Sequence, residues 1–195
     1  MIETLVHIDT LLFQWLNGLH AAWLDPVMVF LSHKLSWIPA YLLLFILLIQ
    51  REHWKRVLLF LLCVGLLIGL TDQTTSSFLK PSVKRYRPCH LAADLDFDVH
   101  TVNNKCGGKY GFASSHAANF FGLATFLAMY FRRRKLSALF FSLAALVAYT
   151  RIYLGVHFPG DILAGAAIGC VFGILLSRLY AILAPFPIFS PPITE

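Results

Sequence analysis

His157 and Asp161 stand four residues apart, and Pro159 and Gly160 between them mark a tight turn into a helix. At that spacing the carboxylate accepts a hydrogen bond from one ring nitrogen, which fixes the tautomer and turns the lone pair of the other toward an electrophile. Arg151 lies just upstream of the pair. Two other segments carry chemistry of the same kind. Lys80-Pro-Ser-Val-Lys-Arg-Tyr-Arg87-Pro88 crowds Lys80, Lys84, Arg85 and Arg87 directly after an apolar run, where charge-assisted and bidentate hydrogen bonds would hold a phosphate. Ala113-Ser114-Ser115-His116 opens a long apolar stretch, and the free backbone N–H groups at such a helix start attract anions. The three segments together offer cations, hydroxyls, a helix N-terminus, two histidines and an orienting carboxylate. That is an inventory for phosphoryl transfer, and it calls for no metal.

Each segment also has a plainer reading. Basic residues at a span end anchor headgroups, a serine before a helix is an N-cap, and a His–Asp pair at a helix start satisfies two polar groups. On a continued α-helix Asp72, Ser76 and Lys80 share a face, so Asp72 is expected to orient Lys80 through the Ser76 hydroxyl. An Asp that satisfies a buried network is the alternative.

The elements that must position these residues are membrane helices. Of 195 residues 58% are hydrophobic and 13% charged, and the mean hydropathy is +0.69, too apolar for an ordinary soluble domain. The expected fold class is an all-α integral membrane protein, a bundle of about five to six spans preceded by an amphipathic helix. Residues 1–22 form that interfacial helix or a short first span, because Leu5, Ile8, Leu11, Leu12, Trp15, Leu16 and Leu19 alternate with Glu3, His7, Asp9, Gln14 and Asn17 at helical period. Residues 23–184 form the membrane domain, with spans at 26–50 (interrupted by Ser32 to Ser36 and bent by Pro39), 57–79, 116–131, 136–153 and 160–183. Residues 80–112 make a long polar loop, and residues 185–195, with four prolines, an unstructured cytoplasmic tail.

The net charge of +6 resides in short clusters between apolar runs, which argues for membrane topology and anionic headgroups and against nucleic acid. Lys and Arg at 51–56 and 132–135 belong in the cytoplasm, so the three polar segments face outward. No start resembling a cleaved signal peptide is read. Gly165, Gly169 and Gly173 recur every four residues and permit close approach of a neighbouring helix. Cys63 and Cys170 read as buried apolar residues, while Cys89 and Cys106 in the outward loop are either bridged or two free thiols.

These segments resemble the type 2 phosphatidic acid phosphatase superfamily, whose signatures read Lys-x6-Arg-Pro, Pro-Ser-Gly-His and Ser-Arg-x5-His-x3-Asp. Lys80 to Arg87-Pro88, Ser114 with His116, and Arg151, His157 and Asp161 match in order and spacing. Ala113, Ser115 and Thr150 stand where the family has Pro, Gly and Ser. The resemblance implies that His157 forms a phosphohistidine, that Asp161 orients it, and that His116 protonates the leaving oxygen and then activates water. It implies that Lys80, Arg87, Ser114 and Arg151 bind phosphate oxygens, that Ser115 contributes its backbone N–H, and that no cofactor or metal is needed. The expected substrate is a membrane lipid phosphate or diphosphate in the inner membrane with the site facing the periplasm or exterior. Undecaprenyl diphosphate is placed first, and phosphatidylglycerophosphate, phosphatidic acid and lipid A are the alternatives. A transporter or lipid-binding protein using the same cationic pocket, and a haloperoxidase, are the competing classes.

Overall fold

The computed structural model describes residues 2–184, and the expected Pro-rich tail lies outside the described residues. The described chain is helical. Helix α1 (Ile2–Gly18) is followed by α2 (Asp25–Ser32), a 3-10 turn (Lys34–Trp37) and α3 (Ile38–Arg51). Helix α4 (Trp54–Asp72) runs into a π-helical stretch (Gln73–Leu79) and the short α5 (Lys80–Val83). After the polar loop come α6 (Ser115–Phe131), α7 (Arg134–Tyr153) and α8 (Pro159–Leu183).

Among the described residues four stretches are long and apolar enough to cross a membrane: Lys34–Arg51, Trp54–Val83, Arg134–Tyr153 and Pro159–Leu183. Helix α6, at 17 residues, spans about 25 Å at 1.5 Å per residue and lies at the centre of the bundle. Around it the outward-turned apolar side chains, among them Leu43, Leu62, Leu163, Leu175 and Ile182, are exposed and supply the surface that lipid would cover.

The single span expected over residues 26–50 is instead two helices. His33 adopts an extended backbone (φ −82°, ψ 130°), which ends α2 and lets the chain restart. Pro39 does not bend a helix: it sits in the first turn of α3, where its missing N–H has no partner to lose.

The tightest contact in the fold is the crossing of α6 and α8. A Cβ added at Gly165 or Gly169 would run into the carbonyl oxygens of Ser114 and Ala118, and one at Gly173 would stand 2.6 Å from that of Gly122. The four-residue glycine repeat of α8 thus meets a four-residue repeat of small residues on α6, and the two backbones touch. The same seam fixes main-chain positions near the polar end, where the Ser114 N–H donates to the Asp161 carbonyl at 3.0 Å. At the opposite end the packing is aromatic: Phe60, Phe126, Tyr130 and Tyr180 meet edge-on with ring centroids 5.1–6.2 Å apart.

The loop after α5 is pinned at several points. Cys89 and Cys106 form a disulfide with Cα atoms 5.8 Å apart, so of the two readings open from sequence the bridged one holds in this structure. Tyr86 and Tyr110 pair across an isolated antiparallel bridge. Asn17 of α1 ties the loop to the bundle: its amide donates to the carbonyls of Ile152 and Tyr153, each at 2.9 Å, and its oxygen accepts the His100 N–H at 2.8 Å.

Candidate active site

The start of α6, the end of α7 and the start of α8 meet at one end of the bundle, and all three polar segments converge there. Asp161 lies in the first turn of α8, fully buried. Its Oδ2 accepts the Phe158 N–H at 3.0 Å and faces His157 Nδ1 at 3.4 Å, as the four-residue spacing predicts. The other ring nitrogen, Nε2, lies 3.3 Å from Arg87 Nη1. A neutral ring with its proton on Nδ1 satisfies both contacts: Nδ1–H donates to the carboxylate, and the Nε2 lone pair accepts from the guanidinium. Burial pushes the His157 pKa down to about 4, and the nearby Arg87 and Arg151 act in the same direction against the raising effect of Asp161. The ring is therefore neutral, with a usable lone pair, across the physiological range.

The cations surround that lone pair. Arg87 also donates to the Val156 carbonyl at 3.2 Å, and Arg151 is held by the Ser32 hydroxyl. The Nε–H groups of both arginines are buried without a hydrogen-bond partner among the described residues. Buried guanidinium donors left over after the protein's own acceptors are counted suit an anion with several oxygens. Lys80 Nζ donates to Ser115 Oγ at 2.7 Å and Ser76 Oγ at 3.1 Å, and Ser115 Oγ also accepts from Thr75 at 2.8 Å.

These groups line one cavity of about 710 Å³ whose polar end holds Lys34, Lys80, Arg87, His116, Arg151 and His157. The cavity continues between α3, α4 and α6 along Tyr41, Leu44, Phe45, Leu61, Val64 and Ile68. A cationic pocket opening into an apolar groove fits a molecule with a phosphate head and an acyl or isoprenoid tail.

The two serines of the Ala113–His116 segment divide their duties. Ser114 is fully buried as the N-cap of α6, its Oγ accepting the Ala117 N–H at 3.5 Å. Ser115, at the family's glycine position, faces the cavity and anchors Lys80. Of the two readings of Asp72, its hydrogen bonds follow the polar-network one: it accepts from the Asn119 amide at 3.0 Å, and Asn119 in turn contacts Thr71. The Ser76–Lys80 half of the expected relay is present, and Ser115 joins it on Lys80, while π-helical turns follow Asp72 where a continuous α-helix was expected. Sequence spacing carries no pointer to Ser32 or Asp9, whose partners lie far along the chain, or to Lys34 at the cavity's polar end.

A helical membrane bundle with an oriented histidine, a cationic cradle and an adjoining lipid-sized groove defines an integral-membrane phosphoryl-transfer enzyme. The family model for the PAP2 superfamily matches residues 58–183, and the chain belongs to that superfamily. It is 43% identical over 87% of its length to a lipid A 4'-phosphatase of Bacteroides thetaiotaomicron, covering 75% of that protein. It is 27% identical to the undecaprenyl-diphosphatase BcrC of Bacillus subtilis, over 90% of this chain and 86% of that one. The fold is similar to the crystal structure of Aquifex aeolicus LpxE, with a TM-score of 0.64 and 27% identity over 88% of this chain and 95% of the other. The protein is a multi-pass membrane phosphatase that acts on lipid substrates.

Proposed function

We propose that the protein removes a phosphate monoester from lipid A, through a phosphohistidine on His157. The observation that carries the chemistry is the convergence of an Asp161-oriented His157 with Lys80, Arg87 and Arg151 on one cavity. The phosphate enters the cationic end and takes the guanidinium donors of Arg87 and Arg151, which frees the Nε2 lone pair that Arg87 covers. Nε2 attacks phosphorus as the lipid oxygen leaves. His116, on the first turn of α6 in the same cavity, takes up a proton as the phosphate's negative charge enters beside it and gives it to that oxygen. The imidazolium formed at His157 is stabilised through Nδ1–H by Asp161. Water, deprotonated by His116, then cleaves the P–N bond and releases phosphate, returning His157 to its neutral form.

Lipid A takes the place of undecaprenyl diphosphate, the first expectation from sequence. Support comes from the 43% identity to a lipid A 4'-phosphatase against 27% to an undecaprenyl-diphosphatase, at similar coverage of this chain. The apolar groove beside the cradle suits lipid entering sideways from the bilayer. Arg51, Lys55, Arg56 and the 132–135 turn lie at the other end of the bundle, which by the positive-inside rule supports an outward-facing site, as expected for the inner membrane.

The test is phosphate release by purified protein from lipid A, undecaprenyl diphosphate, phosphatidylglycerophosphate and phosphatidic acid, with His157→Ala beside it. Lipid A is expected to show the highest kcat/KM, and the variant to release no phosphate from any substrate while remaining folded. Preference for another lipid overturns the substrate, and activity in the variant overturns the mechanism.

A further inference from the structure

Arg85 takes no part in the reaction above, yet its guanidinium forks between two carboxylates. Nη1 donates to Asp161 Oδ1 at 3.0 Å, and Nη2 to Asp9 Oδ2 at 2.6 Å. The second oxygen of Asp9 accepts the Gly160 N–H at 2.7 Å, one of the unpaired donors of the first turn of α8. Asp9 thus holds both the residue preceding Asp161 and the cation that rests on Asp161. The guanidinium lies over the Phe158 ring, 4.2 Å from its centroid, and Phe158 packs edge-on against Phe13 of α1 at 5.2 Å.

This arrangement answers an electrostatic need. A fully buried carboxylate whose other partners among the described residues are a neutral imidazole and one N–H is poorly compensated, and a paired guanidinium supplies the opposite charge and fixes both oxygens. Asp9 in turn occupies the far side of that guanidinium, so Arg85 remains on Asp161 and does not become another cation of the phosphate cradle.

Helix α1 is built to deliver Asp9 there. Asp9, Phe13, Leu16 and Asn17 face the protein; Leu5, Ile8, Leu12, Trp15 and Leu19 form an exposed apolar stripe; and Glu3, His7 and Gln14 form an exposed polar one. Protein on one side, apolar solvent on a second and water on a third is the pattern of a helix lying in the membrane interface. Its contacts run from Gly160 at the start of α8 to Tyr149 and Tyr153 near the end of α7, across the site end of the bundle.

We propose that Asp9 and Arg85 are positioning residues for the His157–Asp161 pair, and that α1 is an interfacial helix through which the membrane surface holds that pair in register. The inference rests on His157 being the nucleophile. His157 is faced by Asp161 of α8, Arg87 of the loop, Arg151 of α7 and His116 of α6, with Arg85 and Asp9 behind Asp161.

The experiment uses full-length protein in detergent with lipid A in mixed micelles, comparing Asp9→Asn, Asp9→Glu, Arg85→Gln, Arg85→Lys and His157→Ala. Asp9→Asn and Arg85→Gln are expected to lose about 10- to 100-fold in kcat, the scale of a displaced reacting group, with KM within about twofold. Asp9→Glu recovers most of the loss. The acid limb of kcat shifts upward in Arg85→Gln, where a cation near His157 is lost, and downward in Asp9→Asn, where an anion is lost. Wild-type kcat in both variants with a dead His157→Ala overturns this inference and leaves the nucleophile standing. A loss carried by KM overturns it in favour of substrate binding, and an active His157→Ala overturns the reading beneath it. Should the neutral variants not fold, Arg85→Lys, which keeps the charge without the fork, decides: reduced kcat supports positioning and wild-type kcat overturns it.

Discussion

The two ends of the α6–α8 pair are packed by opposite means. At the site end glycines bring the backbones into contact, and Ser114, Thr150, His157 and Asp161 are buried among them. At the other end the helices are held by the rings of Phe60, Phe126, Tyr130 and Tyr180. Side chains can repack by changing rotamer, whereas two backbones in contact have nothing to adjust. The glycine seam therefore sets where Ser114 and Asp161 lie relative to each other, and the aromatic end supplies dispersion without specifying chemistry.

The difference is open to direct attack. His116→Ala strikes the chemistry of the site end, and is expected to lower kcat by about 10²- to 10⁴-fold, the usual contribution of a general acid, with a much smaller effect on thermal stability. Phe60→Ala strikes the aromatic end. It is expected to cost about 3 kcal/mol, the low end for large-to-small aromatic changes because in lipid mainly packing is lost, and the molecules that remain folded turn over normally. Cys89→Ser opens the 17-residue bridge to Cys106, at a cost of about 3 kcal/mol on chain-entropy grounds. Because Cys89 lies two residues after Arg87, KM for lipid A rises as well. Gly169→Ala places a methyl group against the Ala118 carbonyl. An overpacked contact costs about 1–3 kcal/mol, but here the folded molecules lose activity, because α8 carries Asp161 away from α6. Equal activity loss in Phe60→Ala and Gly169→Ala, per folded molecule, would erase the distinction between the two ends.

The smallest effect is one of titration. His157 has its pKa lowered to about 4, chiefly by burial, so its ring nitrogens are expected to show the neutral form in ¹⁵N-histidine spectra from pH 7 down to pH 5. His157→Gln assigns the signals. The sign for stability follows: between about pH 6.5 and 4 the unfolded chain takes up a proton that the folded chain refuses. The stabilisation from this site is complete above that window and is lost as pH falls through it.

Much of the site was legible because it is local. The four-residue step from His157 to Asp161, the cations flanking Lys80 and Arg87, and the small-residue period of α8 are short-range patterns, and the family signatures joined them. What sequence missed is long-range or irregular. Asp9 reaches Gly160 across 151 positions and Arg85 across 76, and no periodicity encodes such a pairing. The π-helical stretch interrupts the α-helix expected to run from Asp72 to Lys80, and the extended His33 divides a run that reads as one span. The hydroxyl of Ser115 found Lys80 only because the fold brings α6 against the end of the π-helical stretch.

The central claim is that His157 carries the phosphoryl group, and one measurement meets it directly. Protein mixed with lipid A labelled with ³²P at its phosphate, then quenched in alkali within the first turnover and digested, is expected to yield label on the peptide containing His157. The label is to be stable to alkali and lost in mild acid, as a phosphoramidate is, and absent in His157→Ala. Phosphate release with no labelled peptide, or label on any other residue, would contradict the account.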